Sequence, residues 1–331
     1  MHRRARHIRK AGCACVLLLV VAHALAVAAA DTPAYPTKPI RLIVASSPGG
    51  PNDIIARIVA LPWGEALGRP LVVDNRAGAA GAIGTELGAR AAPDGYTLLL
   101  GFPGPLIIGP LLSEAPNVDA LKDFAPISLA VSAPFVLLVN PQVPAASMQE
   151  LVALAKARPG KLNFASGGTG ISSHMAMELF KLVAGISMVH VPYKGAGPGM
   201  TALLGGEVDA IFAAIPAALP HLKSSRLRAL AVGGTRRSPL MPEVPTVRES
   251  GFQFEVSSWY GVLAPKNTPR TVVARLHATL VQTLNAPAMH RRLDDIAFEI
   301  IASSPEAFAG HLRAETATWG KVITAAGLKV N

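Results

Sequence analysis

Repeatedly along this chain a short apolar run stops at a cluster of Gly, Ser and Pro, and an amphipathic pattern begins directly after it. The clearest case is Val44-Ala45-Ser46-Ser47-Pro48-Gly49-Gly50-Pro51-Asn52-Asp53. It is entered from Ile40–Val44 and left through Ile54, Ile55, Ile58 and Val59 on one helical face. The local reading is strand, tight loop, helix N-terminus, with Gly50 near the N-cap, Pro51 in the first helical position and Asp53 in the first turn. Such a junction leaves backbone N–H groups without intrahelical acceptors at the positive end of a helix dipole, which favours an anion.

A second copy follows the strand Leu162–Ala165, at Phe164-Ala165-Ser166-Gly167-Gly168-Thr169-Gly170-Ile171-Ser172-Ser173-His174. A third, Pro192-Tyr193-Lys194-Gly195-Ala196-Gly197-Pro198, follows Met188–Val191 and opens a helix over 199–204. A fourth runs from Val208–Ala213 into Ile215-Pro216. The first two loops are expected to face each other across a cleft and to hold one small acid. Candidate contacts are Ser46, Ser47, Gly49, Gly50, Asn52 and Asp53 on one side. On the other are Ser166, Gly167, Gly168, Thr169, Ser172, Ser173, His174, Lys194, Gly195, Ala196 and Pro198. Asp53 can serve as a helix cap or touch ligand, and cap preferences favour the former. One exposed helix end contributes only about 0.3–1 kcal/mol, against about 8 kcal/mol for micromolar binding, so a clamp needs both loops.

Alternating strand and helix patterns over about 300 residues fit an α/β protein of two lobes. The first lobe is expected from residues 31–132 and 232–331, the second, inserted, from 133–231, with two crossovers between them. Within the first, strands are predicted at Leu71–Val73, Thr97–Leu100 and Trp259–Leu263, and helices at about 82–91, Arg270–Leu284, Ala288–Ile296 and Pro305–Ala326. Within the second, a strand Phe135–Val139 precedes a helix Met148–Ala157. The loop Gly101-Phe102-Pro103-Gly104-Pro105 should open on the same sheet edge as the first loop, where ligands bind in open parallel sheets. That adds Phe102 and Gly104 to the candidates. Trp259 and Tyr260 can line the cleft or simply pack the core.

Residues 1–30 read as a secretory leader: Arg3, Arg4, Arg6, Arg9 and Lys10, an apolar core Val16–Val27, then Ala28-Ala29-Ala30. The expected mature chain is exported and starts at Asp31. Cys13 and Cys15 would leave with the leader, taking thiolate and disulfide chemistry with them. The net charge of +10 then falls to +5, from 26 Lys/Arg against 21 Asp/Glu. That modest excess, with only isolated pairs at Arg236-Arg237 and Arg291-Arg292, argues against a nucleic-acid partner. It suits weak steering of an anionic ligand.

Gly78, Gly81 and Gly84 recur every third residue, but G-x-G-x-x-G is absent, so close helix–strand packing explains them better than a dinucleotide. No G-x-S-x-G, Walker loop, H-E-x-x-H or Cys/His cluster occurs. Ser46 and Ser47 lack a visible base. His174 with Glu178 is at most half a metal site, and His190 reads as a satisfied interior histidine. No catalytic residue, metal or cofactor is expected. With no coiled-coil or exposed apolar stripe, a monomer is expected too.

Taken together, Tyr35-Pro36, Lys38-Pro39-Ile40, Pro48-Gly49-Gly50 with Asp53 and Ala56-Arg57, Asn75-Arg76, and Pro93-Asp94-Gly95-Tyr96-Thr97 make a recognisable set. So do Lys122-Asp123-Phe124, Ala165-Ser166-Gly167, His174, His190-Val191-Pro192-Tyr193-Lys194-Gly195, Pro245-Thr246 and Ala264-Pro265. In this order the chain resembles the Bug (TctC-like) family of solute-binding proteins of tripartite tricarboxylate transporters. The resemblance implies a two-lobed, type II periplasmic-binding-protein (Venus-flytrap) α/β fold that captures di- or tricarboxylates or other small acids for integral membrane subunits. It also implies carboxylate-holding loops at Ser46–Asp53 and Ser166–His174. Two departures bear on the ligand: Phe102-Pro103-Gly104-Pro105-Leu106 where small polar residues are common, and Ala202 where Asp is common. With Ile215, they point to an apolar far wall and a ligand with a nonpolar or aromatic end. The alternatives are a receptor that serves signalling and an enzyme acting on a small organic acid.

Overall fold

The computed structural model describes residues 35–114 and 116–326. The leader and both cysteines lie outside them. Of the short segment before Lys38 only residues 35–37 are described, and everything below concerns the unit that starts at Lys38.

The strand β1 (Ile40–Val44) is apolar almost throughout and buried, as a strand covered on both faces must be. It pairs in parallel with β2 (Leu71–Asn75) and β3 (Thr97–Gly101). Between them run α1 (Pro51–Leu67) and α2 (Ala82–Ala89). Helix α1 starts with Gly50 in extended conformation and Pro51 in its first turn, and stops where Gly68, at φ +76°, turns its N–H back to the Glu65 carbonyl. A π-helical turn (Gly104–Ile108) and α3 (Gly109–Leu112) follow β3 where a loop was expected; Leu106, Ile107 and Ile108 anchor it in the core.

Then comes β4 (Phe124–Val139), the longest strand at 16 residues. The inserted half contains α4 (Met148–Ala157), β5 (Asn163–Ser166), α5 (Ser172–Ala184), β6 (Val189–Pro192), α6 (Ala196–Gly205), β7 (Ala210–Ala214), α7 (Ile215–Lys223) and β8 (Arg228–Val232). The chain returns through β9 (Ser257–Pro265), α8 (Arg270–Leu284), α9 (Pro287–Asp294), β10 (Glu299–Ile300) and α10 (Pro305–Ala326). The strand order is β2-β1-β3-β9-β4-β7-β5-β6, with β8 and β10 also on β4.

β4 joins the two halves. Phe124–Pro134 pairs antiparallel with β9, while Phe135–Val139 lies between β7 and β8. The returning segment crosses at the same level. Gly233 donates to the Phe135 carbonyl at 2.7 Å, Phe135 to Val256 at 3.2 Å, and Val256 to Gly233 at 2.8 Å. A Cβ on Gly233 would stand 2.4 Å from the Val256 carbonyl oxygen, so only glycine lets the two crossovers approach this closely. The architecture is a two-lobed α/β fold with two crossovers.

Candidate ligand-binding site

The loops after β1 and β5–β6 meet. Ser47 donates its hydroxyl to the Lys194 carbonyl at 2.6 Å, and a Cβ on Gly168 would lie 3.3 Å from that of Ala80. Beside these contacts is a cavity of about 320 Å³. The beginnings of four helices face it: Gly50, Pro51 and Asn52 of α1, Ile171, Ser172 and Ser173 of α5, Gly195 and Ala196 of α6, and Ala214 just before α7. First-turn N–H groups have no acceptor in their own helix, and each helix end carries partial positive charge. Lys194 is the one charged residue among the described lining residues. The site therefore offers an anion mainly neutral donors.

Two buried hydroxyl oxygens, Ser46 Oγ and Ser172 Oγ, have no hydrogen-bond partner, and both residues line this cavity. An unpaired buried hydroxyl costs about 1–3 kcal/mol, so a protein rarely keeps two together without a use for them. Elsewhere the lining is aromatic and aliphatic. Phe102, Phe135, Phe212 and Tyr260 contribute rings, with Ile171 and Ile211 between them. The Tyr260 phenol is fully buried against Ser258, and burial pushes its pKa up.

Other sequence candidates stand outside the cavity lining, each for a visible reason. Gly49 and Asp53 brace the first loop: Gly49 N–H donates to Asp53 Oδ2 and Arg57 Nε to Asp53 Oδ1, both at 2.9 Å. Arg57 reaches Asn75 Oδ1 at 3.0 Å, and Asn75 donates to the Ser46 carbonyl at 3.2 Å. Burial alone would raise the Asp53 pKa, but the hydrogen bonds from Arg57, Gly49 and Asn75 and the Arg57 charge hold it below the usual carboxylate value. Ser166 is fully buried, its oxygen taken up by Gly168 and His190. His174 accepts from the Gly170 N–H and so braces the loop. Gly104, Gly168 and Thr169 line a second, wider groove that shares Ala79 and Ala80 with the cavity. Pro198 is exposed on α6. Ile215 is completely buried in a core cluster with Val136, Leu219 and Val232. Pro103 is likewise absent from the lining. The apolar wall therefore comes from Phe102 and Ile171 in loops and from strand residues, not from Ile215 and Pro103.

Among those strand residues, alternation decides the roles. Ser258 and Tyr260 face the cavity, while Trp259 points the other way and donates to Glu315 Oε2 of α10 at 3.1 Å. Sequence reasoning missed Ser258, Phe135 and Phe212, although the period-2 pattern around Trp259 carried a signal for the first. The segment Ala77–Gly81, also missed as lining, is held by packing. A Cβ on Gly84 would stand 2.6 Å from the Arg76 carbonyl oxygen, the close helix–strand approach expected of these glycines. Among the described residues no group of three His, Cys, Asp or Glu is arranged to hold a metal ion.

The model of the tripartite tricarboxylate transporter family receptor, TctC, matches residues 55–328. The chain belongs to this family. It is 38% identical over 316 residues to Protein BugT of Bordetella pertussis, covering 95% of this chain and 96% of BugT. Among solved structures it is similar to R. palustris Rpa4515 with adipate, at 33% identity and a TM-score of 0.87, over 89% of this chain and 99% of that one. It is also similar to MatC from Rhodopseudomonas palustris with bound malate, at 30% identity and a TM-score of 0.84, over 87% and 100%. A TctC receptor binds solute for a transport system and is not an enzyme. The family is one of periplasmic binding proteins.

Proposed function

We propose that this receptor captures a small organic acid with one carboxylate on the helix-start loops and an apolar or aromatic remainder against Phe102, Phe135, Phe212 and Tyr260. The observation that carries the reading is a cavity faced by four helix beginnings, two of whose lining residues, Ser46 and Ser172, keep buried hydroxyls without a partner. Hydrogen bonds from a hydroxyl to a charged acceptor contribute about 1.5–3 kcal/mol each, which one helix end alone does not. The similar proteins solved with adipate and malate support the carboxylate, and adipate fits the apolar lining better because four methylenes separate its acid groups. Export by residues 1–30, lobe limits at 132/133 and 231/232, action as a monomer and handover to integral membrane subunits complete the proposal. The change of β4 partners at Pro134/Phe135 supports the first limit.

A thermal-shift screen of organic acids, amides and amino acids tests it. Adipate-like and benzoate-like acids are expected to raise the melting temperature, by a mass-action term of about 2.7 kcal/mol at a hundredfold excess over Kd. A strong response to citrate with none to benzoate-like acids would sink the apolar end. Lys194 is exposed and contributes the single full charge among the described lining residues, so Lys194→Met is expected to weaken binding only about 2–5-fold and to flatten its salt dependence. Titrations at low and high ionic strength check this.

A further inference from the structure

Two histidines brace the second loop from beneath. His174 of α5 and His190 of β6 stack with ring centroids 4.0 Å apart, and Phe164 of β5 lies nearly parallel beyond His190 at 5.0 Å. Each ring holds the loop through a different nitrogen. His174 Nδ1 accepts from the Gly170 N–H at 3.2 Å, so that nitrogen carries no proton, and Nε2–H faces Glu178 Oε1 at 3.6 Å. His190 Nε2 is 2.6 Å from Ser166 Oγ. That hydroxyl donates to the Gly168 carbonyl at 2.9 Å and accepts from the Gly168 N–H at 3.1 Å. Its one proton is committed, so His190 Nε2–H is the donor. Hydrogen-bond counting thus leaves His174 Nδ1 without a proton and puts a proton on His190 Nε2, both set by the loop that the rings support.

We propose that His174 and His190 are positioning residues that make capture of an acidic ligand depend on pH. A proton on His174 Nδ1 would meet the Gly170 N–H as a second donor. The brace on Gly167–Gly170 would be lost, and with it the placement of Gly167, Ser172 and Ser173 in the cavity wall. Among the described residues the charged groups facing the stack are Glu178 and Lys181, both on α5; Lys181 Nζ is 2.7 Å from Glu178 and 5.3 Å from the Phe164 ring centroid. β5 and β6 bring no charged side chain. Burial, and then the neighbouring His174, push the His190 pKa down to about 4, so His190 stays neutral, and the geometry that a proton would disrupt is that of His174 Nδ1 and the Gly170 N–H. Binding therefore weakens as the medium acidifies. The inference rests on the carboxylate reading above.

Calorimetric titration of the full chain with adipate at pH 7.5 and 5.5 is the test, for wild type, His174→Asn, His174→Leu and His190→Gln. Asparagine puts a carbonyl oxygen close to the place of Nδ1 and takes up no proton; glutamine supplies an N–H close to the place of Nε2. One coupled proton weakens binding by up to about tenfold per pH unit. Wild type is expected to lose about tenfold or more over this range. His174→Asn should bind nearly as wild type at pH 7.5 and lose markedly less, His174→Leu should bind weakly at both values, and His190→Gln should bind nearly as wild type at pH 7.5. Protonation of adipate itself is common to all four, so the difference between proteins is the readout. Equal slopes for wild type and His174→Asn, or wild-type affinity in His174→Leu, overturn the proposal. Hydrogen exchange of the Gly170 amide in the free protein gives a second measure. Faster opening at pH 5.5 is expected in wild type and not in His174→Asn, and equal opening in both overturns it. If no organic acid of the screen binds while the amide responds as expected, the carboxylate reading fails and the brace stands.

Discussion

Alanine at position 84 is expected to lower the melting temperature by about 5 °C and to remove most of the affinity for whatever acid the cleft holds. Gly84 lies in α2, where a Cβ would come 2.6 Å from the Arg76 carbonyl oxygen and 2.8 Å from both Cα and Cβ of Ala45. Arg76 follows β2 and Ala45 follows β1, so the obstacles are backbone and cannot swing aside. The helix must retreat from the sheet. Overpacking of this kind costs about 1–3 kcal/mol, or about 2–4 °C per kcal/mol for a domain of 150–250 residues and less for a longer one. The displacement also reaches the site, because Ala45 directly precedes Ser46 and both line the cavity. Gly88, one turn on, is the control. There a Cβ would meet only the Leu99 side chain, at 3.3 Å, and alanine gains up to about 1 kcal/mol of helix propensity. Thermal unfolding and ligand titration of Gly84→Ala beside Gly88→Ala check the contrast. Equal effects in the two variants would mean that the strand-end backbone gives way and that Gly84 is not the wedge point.

How far these features are legible in the chain depends on whether their signal is local. Helices α4, α8 and α10 fall at the residues expected from periodicity. α4 shows why: Ser147 accepts from Glu150 N–H at 3.1 Å while Glu150 reaches back to the Ala146 N–H at 2.6 Å, a start signal written within five residues. β1 and the Gly50-Pro51 helix start are legible for the same reason. β4 is not. Only Phe135–Val139 reads as strand, because Pro126 and Pro134 break the preceding segment and register shifts near Ser128 and Leu129 spoil its alternation. The partner that makes it a strand, β9, lies more than a hundred residues away.

The same divide runs through the site. Gly, Ser and Pro clusters announce the loops, so Ser46, Ser47, Gly50, Asn52, Gly167, Ser172 and Ser173 could be named. Of the aromatic floor, Phe102 could be named, and Tyr260 as one of two readings, but Phe135 and Phe212 could not. These two lie on strands joined by antiparallel pairing, and their apolar runs, buried throughout, do not tell which face meets the cavity. Nor can sequence separate residues that line a loop from residues that brace it. Ser166 and Ser172 are six positions apart and chemically identical. One hydroxyl is fully engaged with Gly168 and His190, the other has no partner.

That difference yields a prediction with opposite signs. Ser46→Ala and Ser172→Ala each remove a buried hydroxyl that lacks a partner in the free protein, which relieves a desolvation cost of about 1–3 kcal/mol. The free variants are expected to melt at or above the wild-type temperature. The same hydroxyls, bonded to a carboxylate, contribute about 1.5–3 kcal/mol each, so each variant should bind about 10–100-fold more weakly. The double variant should fall short of the product of the two, because both groups hold one ligand. Ser166→Ala removes a satisfied hydroxyl instead and strands the Gly168 N–H and its carbonyl, so it should lower stability and affinity together. Melting curves with and without ligand for all three variants separate a donor kept for the ligand from a strut of the loop. Should Ser46→Ala and Ser172→Ala destabilise the free protein as Ser166→Ala does, these hydroxyls belong to the scaffold, and the carboxylate must be held by the helix-start N–H groups alone.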